Sequence, residues 1–265
     1  ELETIKVQSA SLIRKFSYSE DFDKNGVLYW IGSSFGKGTY ANPQSSGDVT
    51  VALSHSESSG RALELVVSHT LVRESYAFGG SAPVWFSVDL GPHLALCPDY
   101  YSLRHGYSYS DSIICDWELQ GSNNNETWTT LHAQLEAPFN TGWATKSWPV
   151  LSGERFRYFR VYQKGNYAYG PGQGPNGSPY LYIGGFELYG DLCSTTGVSP
   201  NVISSLSVAT GSLSAPGIEK NREFAYTHDG DTNGVLYCIG SADSTEKWTN
   251  PARTGLVKTK VSGQS

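Results

Sequence analysis

Between residues 101 and 190, side-chain character alternates with a period of two in short runs, and helical spacing never persists for three consecutive turns. Residues 113–120 alternate apolar and polar side chains around Trp117 and Leu119. Successive side chains of a strand leave on opposite faces, so such a run buries one face and wets the other. Asn123-Asn124-Asn125-Glu126 supplies a polar turn, after which residues 127–131 return to β-favouring types. Residues 156–163 place Phe156, Tyr158, Arg160 and Tyr162 on one face, and Arg157, Phe159, Val161 and Gln163 on the other. A fourth run, 180–189, is interrupted by Gly184-Gly185, as a bulge or a close backbone approach would require. Short alternating runs separated by turn residues predict an all-β fold, an antiparallel sandwich or barrel.

Upstream, residues 1–12 read as a lead-in strand or arm. Residues 16–32 place Asn25-Gly26 between two β-favouring stretches, which predicts a hairpin, because the central residues of its tight turn need positive φ. Residues 33–48 read as loop, with Asn42-Pro43 at a turn, and 49–54 as a strand. In 62–75, Leu63, Leu65 and Val67 suit a strand that runs into an exposed loop. Residues 84–90 form a further strand, 92–99 a Pro-bounded loop, and the Gly/Pro segment 170–179 an exposed, flexible turn.

Composition narrows the function. A net charge of −6 argues against a general nucleic-acid binder, which needs clustered Lys and Arg to neutralise phosphates. No stretch approaches the ~20 apolar residues of a membrane span. The four cysteines are too scattered for a disulfide framework and read as free thiols, which favours a reducing compartment. Two N-x-S/T sequons, at Asn125 and Asn176, lie in expected turns and keep a secreted reading open. No G-x-S-x-G, P-loop, H-E-x-x-H or C-x-x-C motif occurs, and the six His show no metal-ligand spacing. Asp116 and Glu118 share one face of a strand, and their flanks suggest the solvent side rather than an acid/base pair. Nothing in the chain points to an enzyme.

The ordered motifs LRHGYS, W-x-L-Q-G-S, W-T-x-L, SWP, FRYFRV and GGFELYG resemble the discoidin-related (galactose-binding-like) jelly-roll. The variant is the one found in HECT-type ubiquitin ligases and some plant BTB-domain proteins, often preceded by a segment like FSYSEDFDKNGVLYWIG at 16–32. The resemblance covers roughly residues 13–191. It implies an antiparallel jelly-roll β-sandwich that recognises a ligand without catalysing a reaction. It further implies a cytoplasmic setting in a large ubiquitin-system protein, where the module would recruit a protein substrate or partner. The alternative is an extracellular discoidin-like domain that binds glycans or lipid head groups.

Residues 192–221, rich in Ser, Thr, Gly and Pro, read as a linker. From Phe224 the chain repeats residues 16–33 at a constant offset of 208, with Asn250-Pro251 matching Asn42-Pro43 and Cys238 standing where the first copy has Trp30. Residues 222–265 are therefore expected to be the truncated start of a second, homologous module.

The candidate recognition residues are Arg104, His105 and Tyr107 beside Tyr109, where an expected strand opens into a loop. Arg offers a planar fork to carboxylates or carbonyls, and Tyr gives contact area at low entropy cost. Arg104 can equally be a partly buried tie between loops. Tyr76 and Phe78, near the expected 68–83 loop, and Asn166 and Tyr167, with Tyr169, are further candidates; Trp85 reads as core. Asp21, Asp23 and Asn25 match the first half of a calcium loop, repeated at Asp229, Asp231 and Asn233. The twelfth position, where an EF-hand needs Glu, holds Gly32 and Gly240. A turn in which the Asp side chains bond to backbone is expected, with no cofactor and with calcium as the alternative.

Overall fold

The computed structural model describes residues 11–55, 61–73 and 77–195. The expected second copy, the linker from residue 196 onward, the lead-in up to residue 10 and Tyr76 lie outside them; residues 192–194, expected to open the linker, are instead the buried end of a strand, Tyr180–Ser194. Among the described residues, ten strands form two antiparallel sheets packed as a jelly-roll sandwich. One sheet is ordered β1 (Ser11–Phe16), β10 (Tyr180–Ser194), β5 (Leu94–His105), β8 (Thr145–Pro149), with β3 (Ala77–Gly79) also on β10. The other runs β2 (Thr50–Leu53), β4 (Val84–Asp89), β9 (Tyr158–Gln163), β6 (Trp117–Ser122), β7 (Thr129–Gln134).

The alternation explains the layers. In β9, Phe159, Val161 and Gln163 are buried while Tyr158, Arg160 and Tyr162 face outward. Only Phe156 breaks the expected facing, since it is buried and bridged to Leu96 ahead of the strand. Phe86 and Phe186 meet edge to face across the sandwich with ring centroids 5.3 Å apart. Trp117 is fully buried, and its Nε1–H donates to the Tyr101 hydroxyl at 3.2 Å, which in turn bonds His132 Nδ1 at 2.8 Å. Burial therefore leaves these polar atoms paired. The glycine pair in β10 marks a register shift between Ile183 and Gly185, as its composition required.

Several local expectations are corrected. Residues 27–32 are not the second arm of a hairpin but helix α1 (Val27–Gly32), with Gly26 as N-cap at φ −73° and ψ 152°. The Glu187 carboxylate of β10 accepts the N–H groups of Leu28 at 2.7 Å and Tyr29 at 2.9 Å, filling two of the vacancies at the start of that helix. A Cβ on Gly26 would overlap the Glu187 carboxyl, so the glycine serves close approach, not positive φ. The 33–48 stretch contains a short helix, α2 (Pro43–Ser46), whose Asn42 cap accepts from Gln44 N at 3.0 Å. Residues 62–66, expected in a strand, belong to α3 (Arg61–Val66), which buries Ala62, Leu65 and Val66 at helical spacing. Residues 94–99 belong to β5 rather than to a loop; Pro98 is tolerated because the ladder bulges opposite Gly190.

The expected 113–120 strand divides as well. Asp116 takes φ 48°, β6 starts at Trp117, and Ile113 forms an isolated bridge to Ala168. Strand β10 is buried on both faces because residues 16–32 lie across its outer side: Tyr18 packs on Tyr189, Phe22 on Gly185 and α1 on Glu187.

Candidate functional site

Strand β5 ends at His105 and β10 begins at Tyr180, so the 106–116 and 164–179 loops share one end of the sandwich. The Ile113–Ala168 bridge joins them through two backbone hydrogen bonds of 2.9 and 2.8 Å. The Gly/Pro segment is exposed as expected, yet it is pinned: Tyr167 N donates to Ser178 O, Gly177 N to Tyr167 O and Ala137 N to Gln173 O. On this frame stand five tyrosines in an unbroken row. Tyr109 meets Tyr107 at 5.6 Å, Tyr107 meets Tyr182 at 5.0 Å, Tyr182 meets Tyr167 at 6.2 Å, and Tyr167 meets Tyr169 at 5.4 Å. Tyr109 is 65% and Tyr169 55% exposed, so the row is open at both ends.

The structure thus brings Tyr107 and Tyr167 together through Tyr182, a residue that sequence reasoning missed because it sits inside β10 like any other strand position. Asn166 lies beside the row, its backbone O accepting from the buried Cys115 thiol at 3.3 Å. Arg104 and His105 do not join the row's surface. His105 is fully buried, stacks on Phe139 at 5.6 Å and donates from Nε2 to Tyr109 O at 3.1 Å, holding the loop from below. Burial pushes its imidazole down, which disfavours the charged form. Arg104, 7% exposed, turns the other way: its guanidinium lies 4.0 Å over Phe22 and donates to His69 O at 3.4 Å. That geometry is the tie between loops.

Phe78 is 4% exposed and packs in the core; Trp85 is not core but half-buried on the outer face of the second sheet, where Arg160 lies 5.8 Å from its ring. Asp23 is consumed by its own turn, accepting from Ser19 N at 3.0 Å and Asn25 N at 2.8 Å. Asp21 bonds instead to Tyr18 and Ser147. Among the described residues no group of three or more His, Cys, Asp or Glu side chains is placed to hold a metal ion. Asp116 and Glu118 both bond the exposed Lys164, each at 3.3 Å. The described cysteines, Cys97, Cys115 and Cys193, are free.

No protein-family model matches the chain. It is 31% identical over 192 residues to the E3 ubiquitin-protein ligase Ufd4 of Drosophila melanogaster, covering 70% of this chain and 7% of the ligase. It is 30% identical over 200 residues to the E3 ubiquitin-protein ligase hecd-1 of Caenorhabditis elegans, again covering 7% of that protein. A BTB/POZ domain-containing protein of Arabidopsis thaliana matches at 29% over 160 residues, 57% of this chain and 19% of the plant protein. The chain is a discoidin-related jelly-roll module. It spans less than a tenth of the ligases that it matches. Among solved structures, the family 32 carbohydrate-binding module of Clostridium perfringens NanJ, in complex with galactose, is similar at 18% identity and a TM-score of 0.41, covering 56% of this chain and 97% of its own. The module CBM62 of Clostridium thermocellum Xyl5A is similar at 19% identity and a TM-score of 0.41, covering 54% and 94%. No helix among the described residues is long and apolar enough to cross a membrane.

Proposed function

We propose that this discoidin-related module is a non-catalytic recognition element of an intracellular ubiquitin-system protein, and that it recruits a protein partner through the tyrosine row. The observation that carries the reading is the row itself: amphipathic rings, open to solvent, mounted on pinned loops at one end of a sandwich. Tyrosine is enriched at the points of an interface where most binding energy concentrates, because it adds area and a hydroxyl with few rotors to freeze. Similarity to ligase segments supports the setting, and the free thiols Cys97, Cys115 and Cys193 suit a reducing compartment.

The test is affinity capture from cell lysate with the full chain and with Tyr109→Ser/Tyr169→Ser. Proteins held by the unaltered chain should fall by about tenfold or more in the double variant, the loss expected on removing two interface tyrosines. The melting temperature should be unchanged, since both side chains are exposed. An identical set of captured proteins in both would sink the reading. A second reading, extracellular binding of glycans or lipid head groups, is favoured by the exposed sequon residues Asn125 and Asn176. Secretion of the chain from a eukaryotic host followed by enzymatic deglycosylation decides it: a mass shift at both sites favours that reading, and unmodified asparagines count against it.

A further inference from the structure

We infer that the tyrosine row takes a cationic side chain, an arginine or lysine carried on an extended basic segment of the partner, with Asp111 as its counter-ion. This inference rests on the recognition reading and adds the chemistry of what is recognised. Three observations point the same way. The first is the row, whose ring faces carry the negative quadrupole that attracts an ammonium or guanidinium. The second is Asp111, on the same loop as Tyr107 and Tyr109: its Oδ1 is buried and accepts no hydrogen bond. A carboxylate oxygen without a donor is costly, and a cation bound beside this half-buried side chain would offset its charge.

The third is the absence of a competitor. Segments 105–116 and 165–182, which build the row, contain neither Lys nor Arg. Lys164, just outside, is engaged by Asp116 and Glu118. His105 below the loop is pushed down by burial, against the opposing pull of Tyr109 and Asp111, which disfavours its cationic form. The whole chain carries −6, so a basic segment is also drawn in at long range. The Asp111 charge reaches the rings: burial, then Tyr167 and Tyr107, and then Asp111 hold the Tyr182 phenol above its ordinary value. Tyr169 is held up first by its hydrogen bond with Tyr167 and also feels Asp111.

Fluorescein-labelled (Gly-Arg-Ser)4, (Gly-Lys-Ser)4 and (Gly-Gln-Ser)4 peptides, titrated with the full chain and read by anisotropy, test this. The Arg and Lys peptides should bind at least about tenfold more tightly than the Gln peptide, a preference that salt weakens. Asp111→Asn and Tyr109→Ser/Tyr169→Ser should each weaken the Arg peptide by about fivefold or more, the scale of one lost cation–π or charged contact. Glu126→Gln, which removes an exposed charge on the β6–β7 turn, should leave binding unchanged. Equal affinities for the Arg and Gln peptides would overturn the inference, as would equal losses in Asp111→Asn and Glu126→Gln, the mark of net charge alone. Displacement of nothing by the Arg peptide, but of captured partners by a galactose-bearing oligosaccharide, would also overturn it. Captured proteins that depend on Tyr109 and Tyr169 but not on Asp111 would sink this inference and leave recruitment standing. Peptide binding that depends on Asp111, with no tyrosine-dependent capture from lysate, would do the reverse.

Discussion

Adjacent on β5, Arg104 and His105 leave the sheet on opposite sides, one onto Phe22 and His69 and the other onto Phe139. The LRHG motif was legible as a strand end, and period-2 geometry already forbids its two charged-type residues from acting at one surface point. What the motif could not show is that the outer face of this sheet is covered, which turns a candidate ligand contact into a buried cation–π pair. Above Arg104, the His69 ring packs 4.4 Å from Tyr29 and 5.6 Å from Tyr40. Burial first, and then the Arg104 charge, push its imidazole down to about 4. The unfolded chain takes up that proton near pH 6.5, the ordinary histidine value, so the folded state holds its full advantage above that pH and loses it as pH falls toward about 4. Thermal melts across this window should fall more steeply for the unaltered protein than for His69→Phe, which keeps the ring and discards the titration. Equal slopes would show that His69 is not buried in this way.

At the scale of the element, α1 illustrates why the fold was readable and its N-terminal segment was not. Strands announce themselves through near neighbours: 84–90 and 156–163 lie within two residues of the observed bounds, and 180–189 matches its strand at the start, though that strand runs on to Ser194. Helix α1 is six residues long, too short to show a period, and is held at its start by a carboxylate 159 positions away. Asn25-Gly26 has the same composition as a hairpin turn, yet Gly26 is needed for the space that Glu187 occupies. Gly26→Ala should therefore destabilise by about 1–3 kcal/mol in urea denaturation through overpacking, although φ −73° suits alanine well. Combined with Glu187→Ala, it should add almost nothing, because the second change removes the group it strikes. A Gly26→Ala protein as stable as the parent would mean that the carboxylate does not lie against this turn. Burial pushes Glu187 up to about 8, while the N–H groups of Leu28, Tyr29 and Leu188 pull it down.

For the whole molecule, the sandwich followed from alternation alone, whereas the tyrosine row needed the topology. Tyr107 and Tyr182 are 75 positions apart in sequence (182 − 107) and meet only because β5 and β10 pair along their length. That pairing also sorts the two ends of the sandwich. The row sits where β5 ends and β10 begins, while Ser11 pairs with Ser194 at the far end of β10. Fifteen residues of strand at ~3.3 Å each put those ends about 45 Å apart. Because β1 and the last residues of β10 lie side by side in antiparallel register, the first and last strand residues of the sandwich share one end and the tyrosines the other. Tension along a chain that enters at Ser11 and leaves at Ser194 would open that join one rung at a time, since only the outermost pair bears load. Tension between Ser110 and Ser194 would load many rungs of the β5–β10 ladder together. Optical-tweezer pulling with handles at the two places should find the first geometry yielding at the lower force, and the reverse order would contradict the register. A pull on the tyrosine end is therefore borne by the long β5–β10 ladder, whereas a pull on the two strand ends is borne by the β1–β10 join.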